Sequence, residues 1–526
     1  MSANENILPF LPTNTQEFTV IRGEGKLYVD KTDLVYDLTH GADEVIFYSR
    51  PRRFGKTLLV STLEAYFKGQ KEYFEGLKIM GLEKEWKQYE VLRFDLSGCN
   101  TVETFKEKLD AKLTRYEKLY NITDRHNNPG VRFGEIIQEA AQGERKVVVL
   151  VDEYDYLLQH TIFSNNEEHE ACKIVYRDFF CQLKEQSRYL RFIFLTGITK
   201  FTQLSLFSVL NNIKIMGHWE KFQALCGFTK EEVCTTLQPY VQRLADKLGM
   251  TEQQALDAIR DRYDGYHFCE NGEDIYNPFS LTNALSDLEL NDYWDTSGSS
   301  QMLMDAVDNI GWDGTDFDRI CIEKKKLRNS DVNLTDLPLF MYQSGYLTIK
   351  DADEDYYYLG IPNTEVRYAV SDQIVPRLVG KIEKIVTSNI TLIKRNLRQR
   401  NIEEAMEALK ALVADTPYSQ DNTAKGMEEK FQFIIKNAMY LAGCYVDEEK
   451  RMINGRADLV ARHDTCILII ELKMRNNGGL SAAEQQIRIQ NYAAPYIAQS
   501  RPIYAVALEF DTEARCMTQY SVTPVK

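Results

Sequence analysis

The chain has 526 residues, 44% of them apolar and 27% charged, with a net charge of −15. At roughly 100–200 residues per domain this length predicts two to four domains, and the composition excludes a disordered tail protein, a collagen and a disulfide miniprotein. The acidic balance excludes a protein that coats nucleic acid with its whole surface, because such binding neutralises phosphates with lysine and arginine; a local basic cleft is compatible with it.

The segment MSANENILPFLPTNTQEF lacks the basic-then-apolar pattern of a signal peptide, and no apolar run nears the ~20 residues needed to span a bilayer. The ten cysteines form no CxxC pair and no zinc-type spacing. They are expected as reduced thiols packed as small hydrophobes in a cytoplasmic protein without a membrane partner.

The chain then reads as alternating strands and helices. Residues 45–48 (VIFY) form a short strand, and 57–67 follow with helical apolar spacing. Further strands are expected over 91–96, 146–151 (KVVVLV) and 189–196 (YLRFIFLT). Strands separated by helix-length segments predict βαβ units and a parallel sheet. From 229 to 347 the pattern is mainly helical, with Thr229 and Glu232 at capping-box spacing. Strand-like runs at 345–349 and 356–359, parted by the acidic turn DADED, predict a small helical or winged-helix-like lid. Residues 379–412 read as helical and rich in Lys and Arg, a solvated connector or a nucleic-acid contact. A second αβ pattern starts near 425: helix 427–442, strands 443–448, 456–462 and 465–474, helix 481–498 and strand 501–508.

Two constellations carry chemistry. The first is RPRRFGKT at 50–57, between the first strand and its helix. Gly55, Lys56 and Thr57 match the end of a P-loop, whose backbone N–H groups cradle phosphates, whose lysine reaches the β/γ-phosphates and whose hydroxyl binds Mg²⁺. Arg50 stands where that pattern has its first glycine. With Arg53 and Phe54 it completes the loop expected to hold ATP. The strand ending in Asp152 and Glu153 has the Walker B arrangement: Asp152 toward Mg²⁺ through water, Glu153 polarising the attacking water. The strand ending at Thr196, with Thr199 just beyond, suits a sensor of the γ-phosphate.

RPRRFGKTLL, VDEYD, FLTGITKFTQLSLFSVLNN and YDGYHF followed by YNPFSL, together with YVDKT at 28–32, resemble the AAA-ATPase-like proteins of bacteria, many of them from Bacteroidetes. The resemblance covers roughly residues 7–285. It implies that arginine at the first P-loop glycine position is a family trait.

The second constellation is GRADLV followed by ILIIELKM. Side chains two apart on a strand share a face, so Glu471 and Lys473 project together and Asp458 can join them from the neighbouring strand. Two carboxylates hold a hard cation such as Mg²⁺, and the lysine orients water or steadies charge on a phosphate: a minimal phosphodiester-cleaving site. The pattern resembles the PD-(D/E)XK nuclease superfamily over about 425–510, with Ala457-Asp458 in place of its Pro-Asp step. The resemblance implies a helix glutamate at Glu429 as a further metal ligand, with Glu428 as second choice. It also implies a catalytic glutamine at Gln486 and a tyrosine at Tyr492 on the following helix.

The expected architecture is therefore α/β: a P-loop NTPase with a parallel sheet (1–228), a helical or winged-helix-like lid (229–375), a helical connector (376–424) and a restriction-endonuclease-like domain (425–526). The expected function is ATP binding and hydrolysis coupled to Mg²⁺-dependent cleavage of nucleic acid, DNA before RNA, in a homo-oligomer, with defence against mobile elements implied by resemblance alone. Arg52 and Arg53 are read as surface or locally salt-bridged residues, or as groups serving phosphate in trans or nucleic acid. Arg475 and Arg488 are read as phosphate contacts near the nuclease site. The alternatives are a nucleotide-dependent switch whose C-terminal half binds nucleic acid or protein without cutting, and a signalling ATPase of the STAND type.

Overall fold

The computed structural model describes residues 8–526 except 144, 162–165, 200–212, 295–298, 311–316, 319, 330–335, 418–423, 453–454 and 491. Contacts divide the chain into two compact units: 1–312 with 317–365, and 313–316 with 366–526.

The first unit is organised by a five-stranded sheet of order β2-β3-β4-β1-β5, whose pairs are all parallel. Its strands are β1 (Val45–Ser49), β2 (Glu90–Asp95), β3 (Val147–Asp152), β4 (Leu190–Gly197) and β5 (Lys214–Ile215). The β-branched run makes β3 a strand buried along its whole length, as a central parallel strand must be. The helix Lys56–Phe67 starts directly after the turn that leaves β1 and presents Leu59, Val60, Leu63 and Phe67 to the core. The short β5 was not visible in the hydrophobic pattern. Residues 200–212 of the family-like segment FLTGITKFTQLSLFSVLNN lie outside the described residues.

After the sheet come helices Lys230–Cys234, Gln238–Leu248, Glu252–Tyr263 and Pro278–Asp287. The capping box is made: Thr229 Oγ1 accepts from Glu232 N, and Thr229 N donates to Glu232 Oε2. These helices close over a core that includes Val233, Leu244, Ile259 and Leu281. A small antiparallel sheet of order β6-β8-β7 follows, from β6 (Ile320–Glu323), β7 (Thr348–Ala352) and β8 (Tyr356–Gly360).

In the second unit the segment read as helical holds two helices, Glu383–Gln399 and Ile402–Val413, parted where Arg400 takes φ 62°. Helix Ala424–Leu441 precedes a mixed sheet of order β13-β12-β11-β10-β9. Its strands are β9 (Tyr445–Met452), β10 (Gly455–Arg462), β11 (Ile467–Met474), β12 (Ile503–Asp511) and β13 (Cys516–Pro524). Pair β11/β12 is parallel and the other pairs are antiparallel. A parallel pair needs a crossover, which helix Gly479–Gln490 supplies. That helix stops well short of the expected 498, and a 3₁₀ turn at Ala494–Tyr496 carries Pro495, whose missing N–H cannot continue a helix. The architecture is thus mixed α/β, with a parallel sheet in the first unit and a mixed sheet in the second. No described helix is long and apolar enough to cross a membrane, and all ten cysteines are free.

Candidate nucleotide and nuclease sites

In an open parallel sheet, ligands bind beyond the carboxyl ends of the strands. Three such ends meet in the first unit. The loop after β1 turns tightly through Arg53 at φ 66° and Gly55 at φ 89°. Gly55 is the N-cap of the following helix in a left-handed conformation that a side chain would strain. Lys56 is buried, and its Nζ donates to the carbonyls of Arg50 and Pro51 at 3.0 Å each. Burial pulls the Lys56 ammonium below its ordinary pKa, against the opposing pull of Glu153, Asp152 and Asp155. Phe54 is fully buried edge-on to Tyr266 and Phe268 of the YDGYHF segment. Its ring therefore anchors the loop to the helical part of the unit.

The three arginines of the loop have separate fates. Arg50 is 2% exposed and donates to the carbonyls of Ser49, Gly217, Phe222 and Gln223. It stacks over Tyr48 and Phe268. The expectation that Arg50 would hold nucleotide is corrected by this geometry: the guanidinium is spent on tying the sheet to the 217–223 segment. Arg53 donates from Nη1 to Tyr293 O at 2.6 Å and lies over the Phe279 ring. Tyr293 N and Trp294 N in turn donate to the buried carboxylate of Glu365, at 2.6 and 2.9 Å. Burial pushes Glu365 up to about 7. Arg52 faces Gln159, with Nη2 to Oε1 at 3.2 Å.

At the end of β3, Asp152 is 1% exposed, and Thr196 Oγ1 donates to its Oδ1 at 2.6 Å. Glu153 takes φ 49°, an uncommon conformation for a non-glycine residue that turns its side chain to the cavity. Burial raises its pKa, and Lys56 counters the shift. Asp155, which the sequence reading passed over, is the hub of this end. Its Oδ2 accepts from Ile198 N, Thr199 N, Thr199 Oγ1 and Gln159 Nε2, at 3.0, 2.6, 2.5 and 2.5 Å. Burial raises the Asp155 pKa. A Cβ at Gly197 would come within 2.5 Å of its Oδ1, so only glycine fits there. The third acid of VDEYD was the available signal for this role.

A cavity of about 550 Å³ opens here. Arg52, Lys56, Thr57 and Glu153 line it together with Tyr28, Cys226 and Phe279. Arg53, Phe54 and Gly55 also reach it, whereas Arg50 does not. Its volume matches the 300–1,000 Å³ of typical small-ligand pockets. Thr57, Asp152 and Glu153 bring hard oxygen donors beside the lysine, a set that fits a nucleotide with a hard divalent cation.

In the second unit, β10 and β11 pair with Leu459 opposite Ile470, and one further step brings Asp458 opposite Glu471. Asp458 N donates to Glu471 Oε2 at 3.4 Å, and Leu472 N donates to Asp458 Oδ2 at 2.8 Å. Lys473 Nζ donates to Glu471 Oε1 at 3.0 Å and lies 4.0 Å from Asp458 Oδ2. The Glu471 side chain is 0% exposed. Burial, and then the Asp458 charge, push it up to about 7, while both acids raise the pKa of Lys473. Two converging acids in poor solvation are a donor set that a hard divalent cation fits, with substrate phosphate completing its shell. Among the described residues no group of three or more His, Cys, Asp or Glu is arranged to hold a metal alone.

Helix Ala424–Leu441 turns Glu428, not Glu429, toward this pair. Glu428 is half-buried, with its pKa raised by burial and by the charge of Asp458 against the pull of Lys473. Glu429 is exposed. Successive residues on a helix differ by about 100°, which composition cannot resolve. Gln486 Nε2 donates to the Tyr492 hydroxyl at 3.3 Å, and the 1%-exposed Tyr492 feels the charges of Glu471, Asp458 and Lys473. Arg475 is exposed and paired with Asp511, and Arg488 is exposed.

Comparison with known proteins agrees with this division. Residues 12–207 match the family model described as "Predicted AAA-ATPase", and residues 426–520 match that of the PD-(D/E)XK nuclease superfamily. The chain is also 28% identical to an uncharacterised protein in the vnfD 5' region of Azotobacter chroococcum mcd 1, over 97% of this chain and 98% of that protein. One chain thus matches an AAA-ATPase-like family model in its first unit and a PD-(D/E)XK nuclease superfamily model in its second.

Proposed function

We propose that the protein is a nucleotide-dependent nuclease: it binds and hydrolyses ATP in the first unit and cleaves nucleic acid, DNA before RNA, with Mg²⁺ in the second. The observation that carries this reading is the convergence of Asp458, Glu471 and Lys473, with Lys473 lying within 4.0 Å of both acids. A lysine paired away from Asp458 would have favoured a binding-only domain.

In the first unit Lys56 would leave its two loop carbonyls to meet the β/γ-phosphates, and Thr57 and Asp152 would hold the cation. Thr196 fixes the Asp152 carboxylate, and Glu153 orients the attacking water. In the second unit Asp458 and Glu471 would hold Mg²⁺, which would polarise the scissile phosphate, and the half-buried Glu428 adds its charge beside them. Lys473 orients the water and steadies charge on the phosphate. Gln486 holds Tyr492 against this group of charges. The sites for nucleotide and for nucleic acid belong to different units, so ATP regulates or drives cleavage without being its reactant.

The test is cleavage of mixed DNA and RNA substrates with Mg²⁺, with and without ATP, for wild type, Lys473→Ala and Lys56→Ala. Cleavage lost in Lys473→Ala, and ATP dependence lost in Lys56→Ala, is the expected result. No cleavage under any condition, with nucleotide still bound, would overturn the nuclease half and leave a switch.

A further inference from the structure

The loop RPRRFGKT carries three arginines within four positions, and two of them are committed elsewhere. Arg50 is spent on four carbonyls, and Arg53 on Tyr293 and the Phe279 ring. Arg52 is different. It is half-buried and lines the cavity beside Lys56, Thr57 and Glu153. Among the described residues its guanidinium makes one hydrogen bond, to Gln159. A guanidinium has five N–H donors in a rigid fork, so donors remain for a ligand.

Gln159 is itself fixed. Its Nε2 donates to Asp155 Oδ2, the same oxygen that takes the backbone and hydroxyl of Thr199 at the end of β4. The chain Arg52–Gln159–Asp155–Thr199 therefore links the phosphate loop to the ends of β3 and β4 through side chains that are buried from Gln159 onward. Charge agrees with the geometry. Arg52 is close enough to Glu153 to offset part of the rise in its pKa, and it helps to depress His160.

We infer that Arg52 is a catalytic residue supplied by this chain's own phosphate loop, reaching the γ-phosphate and positioned by Gln159 on Asp155. The inference rests on the nucleotide reading of this cavity and deepens it. In hydrolysis the water oxygen bonds to the γ-phosphorus and the bond to the β,γ-bridging oxygen breaks. The electron pair stays on the departing diphosphate, and the water proton passes to Glu153. The Arg52 N–H groups meet the oxygens of the transferred group, where negative charge spreads in the transition state. Gln159 is a positioning residue: it aims the fork and touches no phosphate.

The experiment measures the affinity of the full chain for Mg²⁺ complexes of fluorescent ATP and ADP analogues, alongside single-turnover hydrolysis. It compares wild type, Arg52→Ala, Arg52→Lys and Gln159→Leu, with thermal unfolding to confirm folding. Arg52→Ala is expected to weaken ATP binding about tenfold, leave ADP within about twofold, and slow hydrolysis about 100-fold. Arg52→Lys should recover part of the ATP affinity and little of the rate, because it restores charge without the fork. Gln159→Leu should show the same ATP-selective pattern at about threefold. Equal losses for ATP and ADP, or unchanged hydrolysis in a folded Arg52→Ala protein, would overturn the inference while leaving the nucleotide site standing. A wild type that binds neither analogue would remove the nucleotide reading and this inference with it.

Discussion

The two candidate sites solve opposite electrostatic problems. In the first unit three of the charged groups already have protein partners: Lys56 rests on its own loop's carbonyls, Asp152 on Thr196, and Asp155 on Thr199 and Gln159. In the second, Asp458 and Glu471 face one another with Lys473 as the shared cation, and Glu471 is pushed up to about 7. The first arrangement is satisfied at rest, and Lys56 has to leave its carbonyls to meet a ligand. The second is held in tension, two poorly solvated acids around one lysine, which added positive charge would relieve. A site can be preorganised by satisfying its groups or by withholding satisfaction from them, and this chain does one in each unit.

The sharpest way to break the comparison is to remove the tension. Asp458→Asn should reduce Mg²⁺-dependent cleavage by about 10³-fold while nucleotide affinity stays at the wild-type value. Loss of both together would mean that the units are not independent in this respect. A smaller effect separates neighbours on one helix. Glu428→Gln should lower cleavage about tenfold, read as a higher Mg²⁺ requirement, whereas Glu429→Gln should stay within about twofold. The reverse order would return the role to Glu429.

Two predictions concern stability in the first unit. Folded Glu365 keeps its proton to about pH 7, whereas an unfolded glutamate releases it near pH 4.5. The folded state therefore binds more protons between those values. The Glu365 contribution is fully present below about pH 4.5 and falls by about 3 kcal/mol as pH rises through 7. Denaturant unfolding of Glu365→Gln should lack that slope. Gly197→Ala should destabilise the unit by about 1–3 kcal/mol, because the added methyl meets the Asp155 carboxylate at 2.5 Å. Thermal unfolding reads that loss, and a neutral result would show that the β4 end has room to shift.

The legibility of each site followed the range of its determinants. Gly55-Lys56-Thr57 and Asp152-Glu153 are contiguous and sit at strand ends, so the parallel sheet and its phosphate loop could be read from residues alone. Asp458, Glu471 and Lys473 were legible because strand alternation fixes which side chains share a face. The fate of Arg50 was not legible: its acceptors lie on residues 217–223, far along the chain. Asp155 and Gln159 act through a network closed by tertiary packing, for which no local pattern exists. Glu428 and Glu429 differ only in helix rotation. The strands β5, β6 and β13 escaped because they are short or carry mixed polar residues that hydrophobic runs do not mark.

The tight connection between β10 and β11, closed by His463 N donating to Cys466 O at 2.9 Å, has a consequence for time. The acids it joins are 13 residues apart, so bringing them together costs little loop-closure entropy and can follow directly on hairpin formation. The cavity in the first unit needs residues as distant as Tyr28, Glu153, Cys226 and Phe279 in place together. The hairpin that carries Asp458 and Glu471 can therefore form on the microsecond scale of local strand pairing, whereas the first-unit cavity waits on contacts spanning much of its unit.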